Sequence, residues 1–282
     1  MRRSGAALAA LVLLALFASA PAALAASPQQ DPGVTEVCRF HDKRFTEISG
    51  MARSVLHDHV LWLHNDSGNG PFIYAVDERT CDTLATIRIA GIQARDMEAI
   101  ATTRDAQGRA VIWVGDIGDN RDSWPSVRLH RIKEPTRLVD QTVTPTTYRF
   151  TYPDGPHNAE ALLAWRTKVW VITKQLAHGA LYAVPLTRSG VAVATKLRTE
   201  GGMVTDAAVS PDGRRYVIRD YVNAQIVEGL PPGTPGRFFA LPFQVQGEAI
   251  TWTSDGSALL IASERDRRLL RVVPGEQPTR SP

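Results

Sequence analysis

A short polar-then-apolar stretch recurs five times along this 282-residue chain. Its clearest copy is Asp96-Met97-Glu98-Ala99-Ile100, and a second is Asn158-Ala159-Glu160-Ala161-Leu162. One polar residue of each copy can be aligned in a single column. The members of this column are Ser49, Glu98, Glu160, Asp206 and Glu248. The steps between them are 49, 62, 46 and 42 residues, which is the period of a four-stranded propeller blade.

Each repeat holds short runs rich in β-branched and aromatic residues and bounded by turn residues, which predicts strands. In the second repeat the runs are 97–102, 110–114, 127–132 and 147–151. The last repeat has only three runs, whereas an unassigned run, Val34–Phe40, lies near the N-terminus. Pairing the two would close a ring and hide two sheet edges. The sequence therefore predicts an all-β fold, a five-bladed β-propeller whose ring is closed by an N-terminal strand.

The start of the chain has the pattern of a secretory signal peptide. Arg2 and Arg3 precede an apolar run over 6–18, and Ala23-Leu24-Ala25 is a small-residue cleavage site. A membrane anchor is the alternative, but the run is short for a span. We therefore expect a secreted protein that is free of the membrane after cleavage and monomeric. The expected boundaries are a signal peptide at 1–25, a disordered lead at 26–33, one propeller domain at 34–276 and a tail at 277–282.

The two cysteines, Cys38 and Cys81, both lie in the part expected to be secreted, where an oxidising compartment favours disulfides. The predicted ring places Cys38 on the closing strand and Cys81 in the turn between the third and fourth strands of the first blade. We therefore predict a disulfide between them, and two separate buried thiols are the alternative.

The charge of the chain gives no sign of a nucleic-acid partner. The formal net charge is +3, and without the arginines of the signal peptide it falls to about +1. No block of Lys and Arg interleaves with aromatic residues, so we expect no binding to nucleic acid.

Polar residues are expected to converge on one rim of the ring, where each first strand starts and each second strand ends. Several carboxylates brought together repel one another, and a divalent cation removes that cost. Oxygen ligands select a hard ion, Ca²⁺ ahead of Mg²⁺. For each acid taken singly, capping a turn within its own blade is the alternative. The predicted metal ligands are Ser49, Asp66, Glu98, Asp116, Glu160, Asp206 and Glu248.

The same rim is expected to carry catalytic groups. Lys174 and Arg219 beside a metal would suit a phosphate group. His64, His157 and Glu98 are the candidates for acid and base. Ion pairing with neighbouring acids is the alternative role of the cations. No Gly-x-Ser-x-Gly elbow, P-loop or Rossmann fingerprint is present, so serine-based catalysis has no support.

Three segments carry a resemblance to known proteins, namely Leu61–Gly68, Asp96–Ala101 and Val114–Asn120. Through them the chain resembles a group of secreted bacterial β-propeller proteins over nearly all of its mature length. More distantly, the glutamate column is similar to calcium-activated nucleotidases, which are five-bladed with a central calcium, and to esterase-like phytase and gluconolactonase propellers. These resemblances imply metal-dependent ester hydrolysis. They imply central ligands only at Ser49, Glu98, Glu160 and Glu248, and Asp206 departs from the pattern.

We therefore expect a secreted, metal-dependent hydrolase of small phosphate or carboxylate esters with a central acidic calcium site. The alternative is a non-catalytic propeller that binds a glycan, a peptide or a partner protein on the channel rim. A third interpretation is a purely structural calcium. The sequence leaves open whether the protein is an enzyme.

Overall fold

The computed structural model describes residues 33–66 and 68–275. The predicted signal peptide and tail, and the predicted disordered lead apart from residue 33, therefore lie outside the described residues. The described residues form 22 strands in five sheets and no helix. Among them, therefore, no helix has the length and apolar character needed to cross a membrane. The prediction of an all-β, five-bladed propeller is confirmed.

The five blades follow one another along the chain, and in the first four the main strands follow in sequence order from the innermost outwards. The N-terminal strand is β1 (Val34–Arg39). Blade one contains β2 (Ile48–Arg53), β3 (Val60–Asn65), β4 (Phe72–Asp77) and β5 (Thr83–Ile89). Blade two contains β6 (Met97–Arg104), β7 (Ala110–Asp116), β8 (Val127–Lys133) and β10 (Thr146–Thr151). Blade three contains β11 (Ala159–Trp165), β12 (Lys168–Thr173), β13 (Ala180–Ala183) and β15 (Thr195–Thr199). Blade four contains β16 (Asp206–Val209), β17 (Arg215–Arg219), β18 (Asn223–Glu228) and β19 (Thr234–Ala240). Blade five contains β20 (Gly247–Trp252), β21 (Leu259–Ser263) and β22 (Arg268–Val272).

Blade five is completed by the N-terminal strand. Strand β1 pairs antiparallel with β22, with Val34 opposite Val272 and Arg39 opposite Arg268. The predicted ring closure is therefore confirmed. The predicted disulfide is confirmed as well, because Cys38 on β1 is bonded to Cys81 in the turn between β4 and β5, with 5.7 Å between their Cα atoms. The bond ties the closing strand of blade five to blade one.

The inner strands are apolar on both faces because each blade packs between two others. In β3, Leu61 and Leu63 lie in the cluster shared with blade five, which includes Leu260. Trp62 points the other way and packs in the cluster shared with blade two, which includes Ile112. Successive side chains of a strand alternate between its two faces, so the run predicts a strand buried on both sides rather than an amphipathic one.

Two short strands were not predicted from the sequence. Strand β9 (Gln141–Val143), from the loop between β8 and β10 of blade two, pairs parallel with β5 of blade one. Strand β14 (Ala192–Val193), from the corresponding loop of blade three, pairs parallel with β10 of blade two. Each adds an edge strand to the preceding blade and covers its outermost backbone groups.

Candidate functional site

A β-bulge interrupts the innermost strand of four of the five blades at the column residue. In β6, Met97 lies opposite Asp116 and Ala99 opposite Gly115, which leaves Glu98 as the extra residue. Met97 packs towards blade one and Ala99 towards blade three, so the alternation of faces is reset across Glu98. Bulges redirect side chains in this way next to functional sites. The bulged residues are Ser49, Glu98, Glu160 and Glu248, and all four are buried.

Blade four departs from this pattern, and Asp206 has a different role from the other members of the column. Strand β16 pairs regularly with β17, with Asp206 opposite Arg219. Both carboxylate oxygens of Asp206 accept backbone N–H groups, one from Ala207 and one from Ile250 of blade five, each at 2.8 Å. Burial raises the pKa of Asp206. The geometry gives the predicted metal-ligand role no support, because the side chain fastens blade four to blade five.

Three carboxylates from blades one and two come together at the channel mouth. Asp66, Asp96 and Glu98 each offer an oxygen, and these oxygens lie within 4.8 Å of one another. The hydroxyl of Ser49 donates to Oε2 of Glu98 at 2.8 Å and fixes its position. Burial raises the pKa of Glu98 well above its ordinary value, and the charges of Glu160, Asp66 and Asp96 raise it further. Asp96 was not among the predicted ligands, although its position two residues before Glu98 could have indicated that it lies at the same site.

Asp116, a predicted ligand, instead positions this cluster. Its Oδ1 accepts the backbone N–H groups of Arg95 at 2.9 Å and of Asp96 at 2.8 Å. Its Oδ2 lies 3.5 Å from Nε of Arg95 and 3.4 Å from Nη1 of Arg128. Burial raises the pKa of Asp116, but the His130 ring, whose Nε2 lies 4.0 Å from Oδ2, and the hydrogen bonds from these backbone groups outweigh it and leave the pKa lowered. The carboxylate is committed to holding the turn that presents Asp96.

The loop after β7 closes over the same turn. The N–H of Gly118 donates to the carbonyl oxygen of Asp96 at 3.1 Å, and a Cβ at Gly118 would lie only 2.4 Å from Oδ2 of Asp96. Asp119 orders the loop by accepting the N–H of Trp124 at 2.6 Å. The Trp124 ring stacks on the guanidinium of Arg95 at 4.3 Å. Only glycine at 118 allows the loop to approach the Asp96 carboxylate so closely.

Lys174 lies between two further members of the column. Its Nζ is 2.6 and 2.7 Å from the two oxygens of Glu160 and 3.9 Å from Oε1 of Glu248. It also lies 5.0 Å from the centre of the Tyr221 ring. Burial lowers the pKa of Lys174, but Glu160 more than offsets this and leaves the pKa raised. Burial raises the pKa of Glu160 to about 7 in spite of this ion pair.

A carboxyl pair completes the mouth on the side of blade five. The hydroxyl of Tyr221 donates to Oε1 of Glu248 at 3.2 Å. Glu264, at the end of β21, shares a hydrogen bond with Glu248. Burial and this contact raise the pKa of Glu264 to about 8. Glu264 therefore holds its proton to a higher pH than an ordinary carboxyl group does, and it belongs to the site although it was not among the predicted site residues.

The remaining predicted catalytic residues do not join this cluster as reactive groups. Arg219 is completely buried, and its Nη1 donates to the carbonyl oxygen of Ala249 in blade five at 3.0 Å. Burial lowers its pKa to about 10. Its contacts join blade four to blade five, and its guanidinium is not exposed to a ligand.

The two histidines are also placed differently from the prediction. His64 is completely buried in β3, with Nδ1 3.0 Å from the carbonyl oxygen of Asn65, and burial lowers its pKa to about 4. It is therefore neutral at physiological pH. Nε2 of His157 lies 3.0 Å from Oδ1 of Asp154, and its ring packs against Tyr182 on the third strand of blade three. The contacts of His157 are thus to the outer part of that blade rather than to the acidic column.

The described part of the column is therefore an acidic channel mouth with one closely held ammonium group, that of Lys174. Comparison of the chain with known protein families and with curated proteins finds no match in either. The resemblance to secreted bacterial propellers stays a prediction, and the chemistry of the mouth rests on its own residues.

Proposed function

We propose that the protein is a secreted, divalent-cation-dependent hydrolase of small phosphate or carboxylate esters that acts at the acidic channel mouth. The observation that carries the proposal is the trio Asp66, Asp96 and Glu98, whose oxygens lie within 4.8 Å of one another. Three carboxylates at this separation repel one another, and a bound cation offsets that cost. Because the donors are all oxygen, Ca²⁺ is the favoured ion and Mg²⁺ the second choice.

The neighbouring residues supply what ester hydrolysis needs besides the cation. A bound cation would polarise the ester and make water a better nucleophile. The ammonium of Lys174, held by Glu160, is a charged donor for a phosphate or carboxylate oxygen of the substrate. Glu264, with a pKa of about 8, is suited to exchange a proton near neutral pH. It takes the acid–base role that the sequence assigned to His64 and His157.

A panel of chromogenic esters tests the proposal. The mature protein, freed of metal with a chelator, is assayed on 4-nitrophenyl phosphate, bis(4-nitrophenyl) phosphate and 4-nitrophenyl acetate, with and without added Ca²⁺ or Mg²⁺. We expect cation-dependent hydrolysis of at least one ester, reduced at least ~100-fold by Glu98→Gln or Lys174→Met. Glu228→Gln, an exposed acid at the end of β18, is the matched control. If none of the esters is hydrolysed in the presence of either cation, the proposed hydrolase activity is contradicted.

A second function, non-catalytic binding of a partner, is favoured by the apolar side chains around the same mouth. Leu176 and Phe243 are 88% and 82% exposed, on loops beside Lys174 and before β20. Exposed apolar patches rimmed by polar residues are typical of interaction sites. In that case the cation would order the mouth, and a glycan or peptide would bind over it. An inactive ester panel, together with saturable binding of a glycan or peptide that Phe243→Ser weakens, would favour this function.

A further inference from the structure

The channel has a second end, opposite the acidic mouth and lined by arginines instead of carboxylates. A cavity of about 390 Å³ is lined there by the last residues of the innermost strands of all five blades. Strand β6 runs from the acidic mouth at Glu98 to this cavity at Arg104, a span of roughly 20 Å at the rise of a β-strand. The two ends are therefore separate sites that do not share residues.

The residues that line this cavity are mostly small or aromatic. Ala52, Ala101, Ala164 and Ala208 leave the space open, and Trp165 and Trp252 give it flat apolar surfaces. A cavity that is mostly apolar with a few charged groups is the usual form of a small-molecule site.

Both tryptophans are fixed by their surroundings. Trp165 rests on the backbone of Gly213, where a Cβ would lie 2.1 Å from its Cζ2. Nε1 of Trp252 donates to the carbonyl oxygen of Ala208 at 3.0 Å, and Arg215 stacks on its ring at 4.6 Å. The apolar walls are therefore formed before any ligand binds, and a ligand would not have to order them.

The charged groups of the cavity are all cationic. Its lining includes Arg53, Arg104 and Arg166 and no carboxylate. Arg53 is neutralised by Glu78, with 2.7 Å between Nη2 and Oε2. Within the described residues, Arg104 donates only to the carbonyl oxygens of Gly108 and Val55, at 3.1 and 3.2 Å, and no carboxylate there compensates its charge.

Arg166, on the neighbouring blade, is exposed and forms no ion pair with any carboxylate in the described part of the chain. Its backbone N–H is held by the hydroxyl of Thr103 at 2.9 Å, which joins the turn of blade three to the end of β6. Two guanidinium groups without a carboxylate partner thus adjoin one apolar cavity.

We propose that this cavity binds a small organic anion, a carboxylate carried on a compact apolar body. The body would pack among the alanines and against Trp165, and the carboxylate would pair with Arg166 and Arg104. A guanidinium offers a planar fork that matches a carboxylate. An amine would be repelled by the same arginines, and a neutral molecule of the same shape would leave their charge unused.

Three probes with one apolar body test this assignment, namely 4-phenylbutyrate, 4-phenylbutanol and 4-phenylbutylamine, titrated calorimetrically into the full-length mature protein. We expect 4-phenylbutyrate to bind at least ~10-fold more tightly than the alcohol, and the amine to bind most weakly. Equal binding of the acid and the alcohol, or no saturable binding of the acid, would overturn the proposal. Tighter binding of 4-phenylbutyl phosphate than of the carboxylate would overturn the choice of anion.

Variants locate the site. Arg166→Gln should weaken 4-phenylbutyrate binding about 10-fold and leave 4-phenylbutanol unchanged, because the exposed side chain supplies charge rather than packing. Ala101→Met should exclude all three probes by filling the cavity. Arg188→Gln, at an exposed position outside the cavity lining, is the control and should bind as the wild type does. Unchanged binding of 4-phenylbutyrate in Ala101→Met would show that the acid binds elsewhere and would overturn the assignment.

Discussion

The ammonium of Lys174 lies 2.6 and 2.7 Å from the two oxygens of Glu160, a carboxylate that is only 3% exposed. The two residues come from neighbouring strands of blade three, yet their surroundings come from other blades. The charge of Glu160 acts on Glu98 of blade two and on Glu248 of blade five and raises the pKa of each beyond the effect of burial. The charge of this ion pair therefore affects the protonation of carboxyl groups on two other blades.

Replacing Lys174 should make the protein sensitive to alkaline pH. Lys174→Met leaves Glu160 buried without its cation, and breaking a buried pair in this way costs about 3–5 kcal/mol. The pKa of Glu160 is already raised to about 7, and the variant raises it further above the unfolded value. When the pKa of a carboxyl group is raised in the folded state, the free energy of unfolding of the protein decreases as pH increases. The stability lost in the variant should therefore be larger at pH 8 than at pH 5.5. Urea unfolding at the two pH values measures it.

A double variant provides the control for this prediction. Lys174→Met with Glu160→Gln removes both charges, and it should recover most of the stability lost at pH 8. An equal loss at both pH values in the single variant, with no recovery in the double variant, would show that Lys174 acts through packing alone.

The Glu264–Glu248 pair predicts that the cation-free protein becomes less stable between pH 5 and pH 8. The pKa of Glu264 rises from 4.5 to about 8 on folding, so the folded state binds more protons across this window. Stability is therefore present at the acidic end and lost as pH rises through the window. Thermal melts in the presence of a chelator should show this decline, and Glu264→Gln should flatten it. A melting temperature that increases over the same range would contradict the raised pKa of Glu264.

The disulfide should account for a measurable part of the stability of the ring. Its cysteines are 43 residues apart, and closing a loop of that size contributes about 3–4 kcal/mol in the chain-entropy estimate. The double variant Cys38→Ser with Cys81→Ser should lose that amount in urea unfolding. Mass spectrometry of unreduced peptides identifies the bond directly. An unfolding midpoint equal to that of the wild type would show that strand pairing alone closes the ring.

Glu98→Gln should stabilise the cation-free protein while weakening its response to Ca²⁺. The substitution keeps the size of the side chain and removes a buried carboxyl group that Asp66, Asp96 and Glu160 disfavour as an anion. Melts with chelator should give a higher melting temperature than the wild type, and melts with millimolar Ca²⁺ a smaller rise. Ser49 would still donate to the amide oxygen. A lower melting temperature in chelator would indicate that the Ser49 contact outweighs the repulsion.

The fold could be predicted from the sequence because each blade repeats its own apolar pattern. Strands β6 and β7 begin at the predicted residues 97 and 110, since their runs are apolar on both faces and preceded by turns. Strands β9 and β14 were not predicted, because they are only three and two residues long and show no periodicity of apolar residues. They form only where a neighbouring blade offers an unpaired edge.

The column was predictable, but the role of each acid within it was not. A bulge at Glu98 and regular pairing at Asp206 follow from register between strands rather than from local sequence. Asp206 is satisfied by the N–H of Ile250, which is 44 residues away and belongs to the next blade. Asp116 likewise resembles a ligand in sequence, and only the backbone of residues 95 and 96 shows that it positions one.

Calorimetric titration of Ca²⁺ into the chelator-treated protein at pH 7.5 tests the central claim most directly. One site is predicted, and binding should release protons, because the pKa of Glu98 is raised well above its ordinary value. Titrations in two buffers of different ionisation enthalpy measure that release. Glu98→Gln and Asp96→Asn should each weaken binding at least ~10-fold, and Glu228→Gln should bind as the wild type does. The absence of saturable binding of both Ca²⁺ and Mg²⁺ to the wild type, or unchanged Ca²⁺ affinity in Glu98→Gln, would contradict the cation site.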